Sequence, residues 1–305
     1  MAVHIWRYLL IDRIGIIVVI GADDLHKYAY SQMYSMQAQQ SALLPGGRIK
    51  VKKDKYWTRW DYYPTYKKTP KRRIAEITVG KTKLFGNETP YRYFVLDLYP
   101  SKFYVGEFEH FKQVLCQILP KFAYEKLYQN GHVNYLELAS DSLSHQHHSF
   151  IPIRKYCTDS MIFKEENGHL GTTYLGSIYS DLRFRIYDKR KQLLDTGQES
   201  KYQTHTRIEA ALRRVGLEPV NLIHMANPFE KIEIAELQIA RQLSKETVWQ
   251  GLLDQCLKDG SPSALALYPK QRKQFMKMLR TAAASWWNPH DLWLGLPNAL
   301  KAIAP

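Results

Sequence analysis

The chain has 305 residues, 45% of them hydrophobic and 24% charged, which fits one large globular domain or two modest ones and excludes wholesale disorder, collagen and a disulfide scaffold. Forty-three Lys and Arg against 29 Asp and Glu leave a net charge of +14, and a surplus of that size favours a polyanionic partner. The 21 tyrosines and seven tryptophans point to nucleic acid, because bases stack on aromatic rings.

Residues 8–22 read as a first strand. The longest apolar run, Ile14 to Ala22, is rich in β-branched residues. It falls well short of the roughly 20 residues that cross a membrane, and Asp12, Arg13, Asp23 and Asp24 flank it. No membrane partner is expected. Residues 25–42 carry a loose helical face of Leu25, Tyr28, Met33 and Met36, and Pro45-Gly46-Gly47 breaks the chain. Segment 48–73 is basic: Arg48, Lys50, Lys52, Lys53, Lys55, Arg59, Lys67, Lys68, Lys71, Arg72 and Arg73 face only Asp54 and Asp61. Tyr56, Trp57, Trp60, Tyr62, Tyr63 and Tyr66 interleave with them. Lysine and arginine neutralise phosphates, and exposed rings accept bases, so this segment is expected to touch nucleic acid. The competing reading is a hairpin whose rings pack on the core.

Ile74–Gly80 and Tyr91–Leu98 read as strands, the second stopped by Pro100. Phe108–Leu119 has helical spacing and ends at Pro120. Val133–Ala139, Thr172–Gly176, Arg183–Tyr187 and Thr204–Leu212 read as further strands. After Pro228 the pattern turns helical over Phe229–Leu243, Lys245–Leu257 and Lys270–Ala284, with Ser244 placed to cap the second. The expected fold class is α+β: an antiparallel-sheet core with flanking helices over 1–228, and a helical C-terminal region over 229–305. Trp286-Trp287 reads as a core anchor. Cys116, Cys157 and Cys256 form no CxxC pair, which suits a reducing, cytoplasmic setting and argues against a cysteine zinc site.

Three stretches carry candidate chemistry. In Glu137-Leu138-Ala139-Ser140-Asp141, strand alternation puts Glu137 and Asp141 on one face. At an extended separation of about 13 Å they share a hard cation only if the chain bends near Ser140. In Arg183-Phe184-Arg185-Ile186-Tyr187-Asp188-Lys189, alternation aims Arg183, Arg185 and Tyr187 one way and Phe184 and Ile186 the other. A tyrosine among cations suits attack on a phosphodiester, since the cations favour its phenolate and hold the phosphate. An ordinary exposed strand fits the same pattern. In Arg207-Ile208-Glu209, Arg207 and Glu209 share a face: Glu209 completes a carboxylate set with Glu137, or it forms a plain surface ion pair. His145 and His147 would share a face if their segment were a strand. Gln146 between them and the serines around them read instead as a loop.

In this order the blocks resemble the rolling-circle replication initiators of the Rep_trans type, found on small plasmids and filamentous phages, with related relaxases of mobile elements. The counterparts are Ile11-Asp12-Arg13-Ile14, Leu136-Glu137-Leu138-Ala139-Ser140-Asp141, Tyr174-Leu175-Gly176-Ser177 with Ser180, Arg185-Ile186-Tyr187-Asp188-Lys189, and Arg207-Ile208-Glu209. The match departs from the family pattern in three ways: Glu137 stands where aspartate is usual, the acidic strand lacks the preceding arginine, and Ile14 stands where an aromatic is usual. The resemblance implies binding to a duplex origin and nicking of an exposed single strand, with Tyr187 joined to the 5′ phosphate and a 3′ hydroxyl left as primer. It implies Mg2+ or Mn2+ held by Glu137, Glu209 and Asp141, and charge stabilisation by Arg185 and Lys189. It also implies a host helicase and polymerase as partners, and a homodimer. The C-terminal helices then read the origin or dimerise. Two other readings stay open: a relaxase, and a basic DNA-binding protein with no catalysis.

Overall fold

The structure, a computed structural model, describes residues 6–20, 27, 31, 48–53, 57–63, 73–82, 91–165, 170–244 and 247–305. The helical face expected over 25–42 lies outside them almost entirely. The fold is α+β, and the chain divides into two compact units that interleave in sequence. The first unit takes 1–10, 138–213 and 226–299; the second takes 11–137, 214–225 and 300–305. Residues 229–299, expected as part of a separate helical region, therefore belong with 138–213.

In the second unit the strands are most of β1 (Trp6–Ile20), β2 (Arg48–Lys53), β3 (Trp57–Tyr63), β4 (Ala75–Thr82), β5 (Tyr91–Leu98) and the first half of β6 (His132–Ser142). They run β2-β3-β4-β5-β1, each pair antiparallel. Alternation splits the sheet cleanly. Trp60, Tyr62, Ala75, Ile77, Phe94, Leu96, Ile14 and Ile16 line one buried face, where helices α1 (Glu107–Ile118) and α2 (Tyr124–Asn130) contribute Phe111, Leu115 and Tyr124. On the other face Asp61, Glu76 and Asp97 sit directly opposite one another across three strands. Like charges so placed repel, and arginines offset this. Arg59 and Arg73 reach Asp61 at 3.1 and 3.2 Å, Arg73 reaches Glu76 at 2.7 Å, and Arg13 reaches Asp97 at 3.0 Å. Gly15, in register with Asp97, has no room for a side chain, because a Cβ would lie 2.6 Å from Asn134 Oδ1 and 2.9 Å from Asp97 Oδ1.

The first unit holds β8 (Ser160–Lys164), β9 (Leu170–Leu175), β10 (Leu182–Asp188) and β11 (Thr206–Arg213) in the order β11-β10-β9-β8, and α3 (Lys189–Asp195) directly after β10. Leu175, Phe184, Ile186, Ile208 and Ala210 form its buried face, where Phe184 meets Phe229 at 6.2 Å between ring centres. A two-stranded sheet, β7 (Phe150–Arg154) with β12 (Ile232–Glu236), carries a second core with α4 (Leu237–Leu243), α5 (Thr247–Asp259), α6 (Ser261–Leu267) and α7 (Arg272–Thr281). Short helices α8 (Pro289–Trp293) and α9 (Leu296–Leu300) follow.

Two expectations need correction. Phe229–Leu243 is not one helix: Pro228–Lys231 forms a 3₁₀ turn, Ile232–Glu236 is strand β12, and only Leu237–Leu243 is helical. The alternation of Ile232 and Ile234 pairs with β7 and overrides the weaker helical spacing. Ser244 ends α4 and does not begin α5: its hydroxyl donates to the Arg241 carbonyl. Trp286 is buried as expected, packed on Phe150 and His145. Among the described residues no helix is long and apolar enough to cross a membrane. Phe184→Ala should lower stability by about 3–5 kcal/mol through the lost ring and residual cavity, measured by urea unfolding. Leu194→Ala, half-exposed on α3, should change it by no more than about 0.5 kcal/mol.

Candidate functional site

The polar face of the β9–β10–β11 sheet collects the residues that the sequence marks in this unit. Register sets Arg185 opposite Glu209 and Tyr187 opposite Arg207. The Tyr187 hydroxyl donates to Glu209 Oε1 at 2.6 Å. Arg185 donates to Glu209 Oε2 through Nε at 2.6 Å and also through a terminal nitrogen. One layer on, Arg207 grips Asp141 with two bonds, Nε to Oδ1 at 2.6 Å and Nη2 to Oδ2 at 2.8 Å. His205 Nε2 stands 3.2 Å from Asp141 Oδ2. Asp141, Arg207, Glu209 and Tyr187 are all buried; bidentate arginine contacts are the geometry that makes buried carboxylates tolerable.

The turn out of β10 follows from its sequence. Asp188 caps α3 by accepting from the Lys191 amide at 3.0 Å, and the His205 carbonyl accepts from the Lys189 amide at 2.7 Å. The strand thus ends with Tyr187 facing the start of a helix. The Lys189 ammonium is 5.9 Å from the Tyr187 ring centre and donates to Gln192; the Arg185 guanidinium is 5.0 Å from that centre. Tyr187 lines a cavity of about 290 Å³ together with Phe163, Lys164, Tyr174, Arg185, Lys191 and Gln192.

Two groups have shifted acidities. Burial and then the Glu209 carboxylate push the Tyr187 phenol well up, and Arg207 and Arg185 only partly offset them. The expectation that cations would favour the phenolate is corrected here: removing water and placing a carboxylate against the hydroxyl outweigh the arginines and favour the protonated phenol. At Asp141 burial pushes the carboxyl up, yet the Arg207 bonds and the His205 contact outweigh it and hold it well below the usual carboxylate range.

The carboxylates assigned to a divalent ion are each engaged. Glu209 has both oxygens bonded to Tyr187 and Arg185, and Asp141 has both bonded to Arg207. Glu137, in the other unit, accepts from the Tyr135 hydroxyl at 2.5 Å. Among the described residues no three His, Cys, Asp or Glu side chains are grouped to hold a metal. As arranged, this donor set does not fit Mg2+ or Mn2+. His145 and His147 do not converge either: His145 stacks on Trp286 at 4.2 Å and lies 3.0 Å from Ser142 Oγ through Nδ1, while the His147 Nε2 meets the Leu170 carbonyl.

The basic segment is described in part. Lys55, Lys67, Lys68 and Arg72 lie outside the described residues, as do the side chains of Lys53 and Trp57. Lys52 is exposed, 3.8 Å from Asp61. Trp60 is corrected: it is only 2% exposed, because alternation in β3 turns it with Tyr62 into the core, where no base can reach it. Arg59 and Arg73 serve the carboxylate row described above. Arg183 lies over the Tyr174 ring at 3.9 Å. Phe163, Lys164 and Lys191 of the cavity were missed. The signal for the first two is the short run Met161-Ile162-Phe163, a strand in the structure, set between Asp159-Ser160 and Asn167-Gly168.

No family model matches the sequence, and no curated protein matches it. Among solved structures the chain is similar to a rolling circle replication initiator protein from Geobacillus stearothermophilus, with 12% identity and a TM-score of 0.39, over 83% of this chain and 98% of that one.

The depressed acidity of Asp141 gives a signed expectation. Its contribution to stability is present above the unfolded-state value near pH 4 and is lost as the pH falls below it. Asp141→Asn should therefore flatten the decline in stability between about pH 5 and pH 2. Arg207→Met, which leaves a buried charge uncompensated, should cost about 3–5 kcal/mol at pH 7. Urea midpoints across the pH range read both.

Proposed function

We propose that this chain is a rolling-circle replication initiator that nicks and rejoins one DNA strand through a tyrosyl–5′-phosphate intermediate. The observation that carries this is the 2.6 Å hydrogen bond from the Tyr187 hydroxyl to Glu209, at the wall of a cavity that Lys164 and Lys191 also line. The motif order described above supports the same reading.

The chemistry follows from the pair. A neutral phenol is a weak nucleophile, and its proton must leave as the oxygen attacks phosphorus. Glu209 Oε1 is placed to take it. The new bond joins Tyr187 Oη to phosphorus. The bond to the departing 3′ oxygen breaks, and that oxygen takes a proton from water. Protonation of Glu209 weakens its ion pair with Arg185, freeing guanidinium charge for the phosphate oxygens as their negative charge builds. Rejoining runs the same steps backward, with Glu209 returning the proton to the phenol. The energy of the cleaved linkage stays in the tyrosyl ester, so no nucleotide cofactor is needed. No step is routed through a metal, since the carboxylates do not fit one as arranged.

A second reading, a DNA-binding protein in which Tyr187, Glu209 and Arg185 are a structural network, is favoured by the burial of Tyr187, which is 5% exposed. The two readings part on one gel. The chain is incubated with a pool of labelled single-stranded oligonucleotides, with Mg2+ or Mn2+ in parallel samples, and run under denaturing conditions. Nicking gives a covalent protein–DNA band that Tyr187→Phe abolishes and Glu209→Gln reduces by about 10²–10⁴-fold in rate, the usual share of a general base. A band of wild-type strength from Tyr187→Phe removes that residue from the role. No band from the wild-type chain with any oligonucleotide favours the structural reading.

A further inference from the structure

The sheet face that carries Tyr187 continues across β9 and β8, and there it is not paired off. Register places two rows on this face. Met161, Tyr174, Arg185 and Glu209 stand opposite one another across β8, β9, β10 and β11; Phe163, Thr172, Tyr187 and Arg207 form the next row. Toward β11 the rows are charged and buried. Toward β8 they become apolar and open: Met161 is 48% exposed and Phe163 is 53% exposed. The Phe163 and Tyr174 rings meet edge to face at 5.7 Å, and the Arg183 guanidinium lies over Tyr174. Lys164 is exposed beside Phe163, where the pairing of β8 with β9 slips by a bulge. Bulges re-aim side chains, often beside functional sites.

We infer that the open face of β8 and β9 is a stacking platform for single-stranded DNA, with Phe163 and Tyr174 each taking a base beside the scissile phosphate. This rests on the nicking proposal for the identity of the strand and goes beyond it by naming the groups that hold it. A single exposed ring is ordinary on a protein surface. A contiguous Met161, Phe163 and Tyr174 patch that leads by sheet register to a candidate nucleophile is not. Strand spacing of about 4.8 Å sets Phe163 roughly 10 Å from Tyr187, within reach of neighbouring nucleotides. The rings stand on a sheet face, where unpaired bases can stack on them but the stacked bases of a duplex cannot. The Arg183 guanidinium over the Tyr174 ring adds positive charge at the edge of the platform. Two of the three acids lining the cavity are engaged, Glu165 3.4 Å from Lys191 and Asp188 as the cap of α3, and Asp195 lines it as well.

Binding of a labelled oligo(dT) strand, followed by fluorescence anisotropy, tests this without requiring any cleavage. Phe163→Ala should weaken binding by about 5- to 100-fold, the range of one lost base–ring stack. The slope of affinity against salt should stay unchanged, because no phosphate contact is removed. Tyr174→Leu should do the same, whereas Tyr174→Phe, which keeps the ring, should bind like the wild type. Arg183→Gln should lower the salt slope by about 0.7, one phosphate's share on a single strand. An abasic site that weakens the wild-type complex should have no further effect in the matching alanine variant. Binding to duplex of the same length should change less than twofold in every ring variant. The platform is overturned if Phe163→Ala and Tyr174→Leu both bind oligo(dT) within twofold of wild type while retaining its circular dichroism. It is equally overturned if Phe163→Ala acts by changing the sedimentation of the free protein, which would make this face a contact between copies of the chain. Failure of the nicking proposal reads differently: the wild-type chain would give no covalent adduct while the ring variants still lost binding.

Discussion

The arrangement on β10 and β11 depends on compensating buried negative charge with arginine at two-residue intervals. Arg185 answers Glu209 and Arg207 answers Asp141, each through a short guanidinium contact. A carboxylate buried without such a partner would be destabilising by several kcal/mol or would pick up a proton. Because side chains alternate, the same two strands turn Phe184, Ile186, Ile208 and Ala210 to the opposite face, where they are wholly buried. One period-2 pattern therefore builds the core on one side and a fixed polar array on the other. Tyr187 lies in that array with its proton already directed at Glu209.

That periodicity explains what the sequence discloses. The β10 and β11 alternation, the burial of Phe184 and Ile186, and the meeting of Arg185, Tyr187, Arg207 and Glu209 all follow once two strands are set antiparallel in the right register. Strands β4 and β5 are legible for the same reason. The sign of the Tyr187 shift is not legible, because it turns on how much water the fold removes, and spacing carries no such information. Nor are the partners of the carboxylates. Glu137, Asp141 and Glu209 look alike as acids in strands, yet each finds a different donor: a tyrosine, an arginine supported by a histidine, and an arginine with a tyrosine.

The basic segment shows the opposite limit. Its charge count suggests a surface for polyanions, but β3 places Asp61 and β4 places Glu76 in the same row, and Arg59 and Arg73 answer those acids. Each arginine answers one acid close to it in sequence and one across the sheet: Arg59 meets Asp61 and Glu76, and Arg73 meets Glu76 and Asp61. Trp60 is turned into the core by the alternation that sends Asp61 to the opposite face, where it is also buried, so one register fixes both outcomes. Composition records the surplus of cations over the whole chain; it does not record which of them a carboxylate already holds.

The proton path links acid–base chemistry to the packing around Tyr187. A phenol made less acidic by burial holds its proton until a better base is offered, which guards the hydroxyl against idle ionisation at neutral pH. Arg185 and the Tyr187 hydroxyl both hold the Glu209 carboxylate. In the proposed nicking reaction, a phosphate entering the cavity would compete for Arg185 and draw it from Glu209 as the proton moves. On that proposal, the Tyr187 phenol would respond to the presence of the strand. In the absence of a phosphate, the Arg185–Glu209–Tyr187 contacts close on themselves, and the buried charge is satisfied without any ligand.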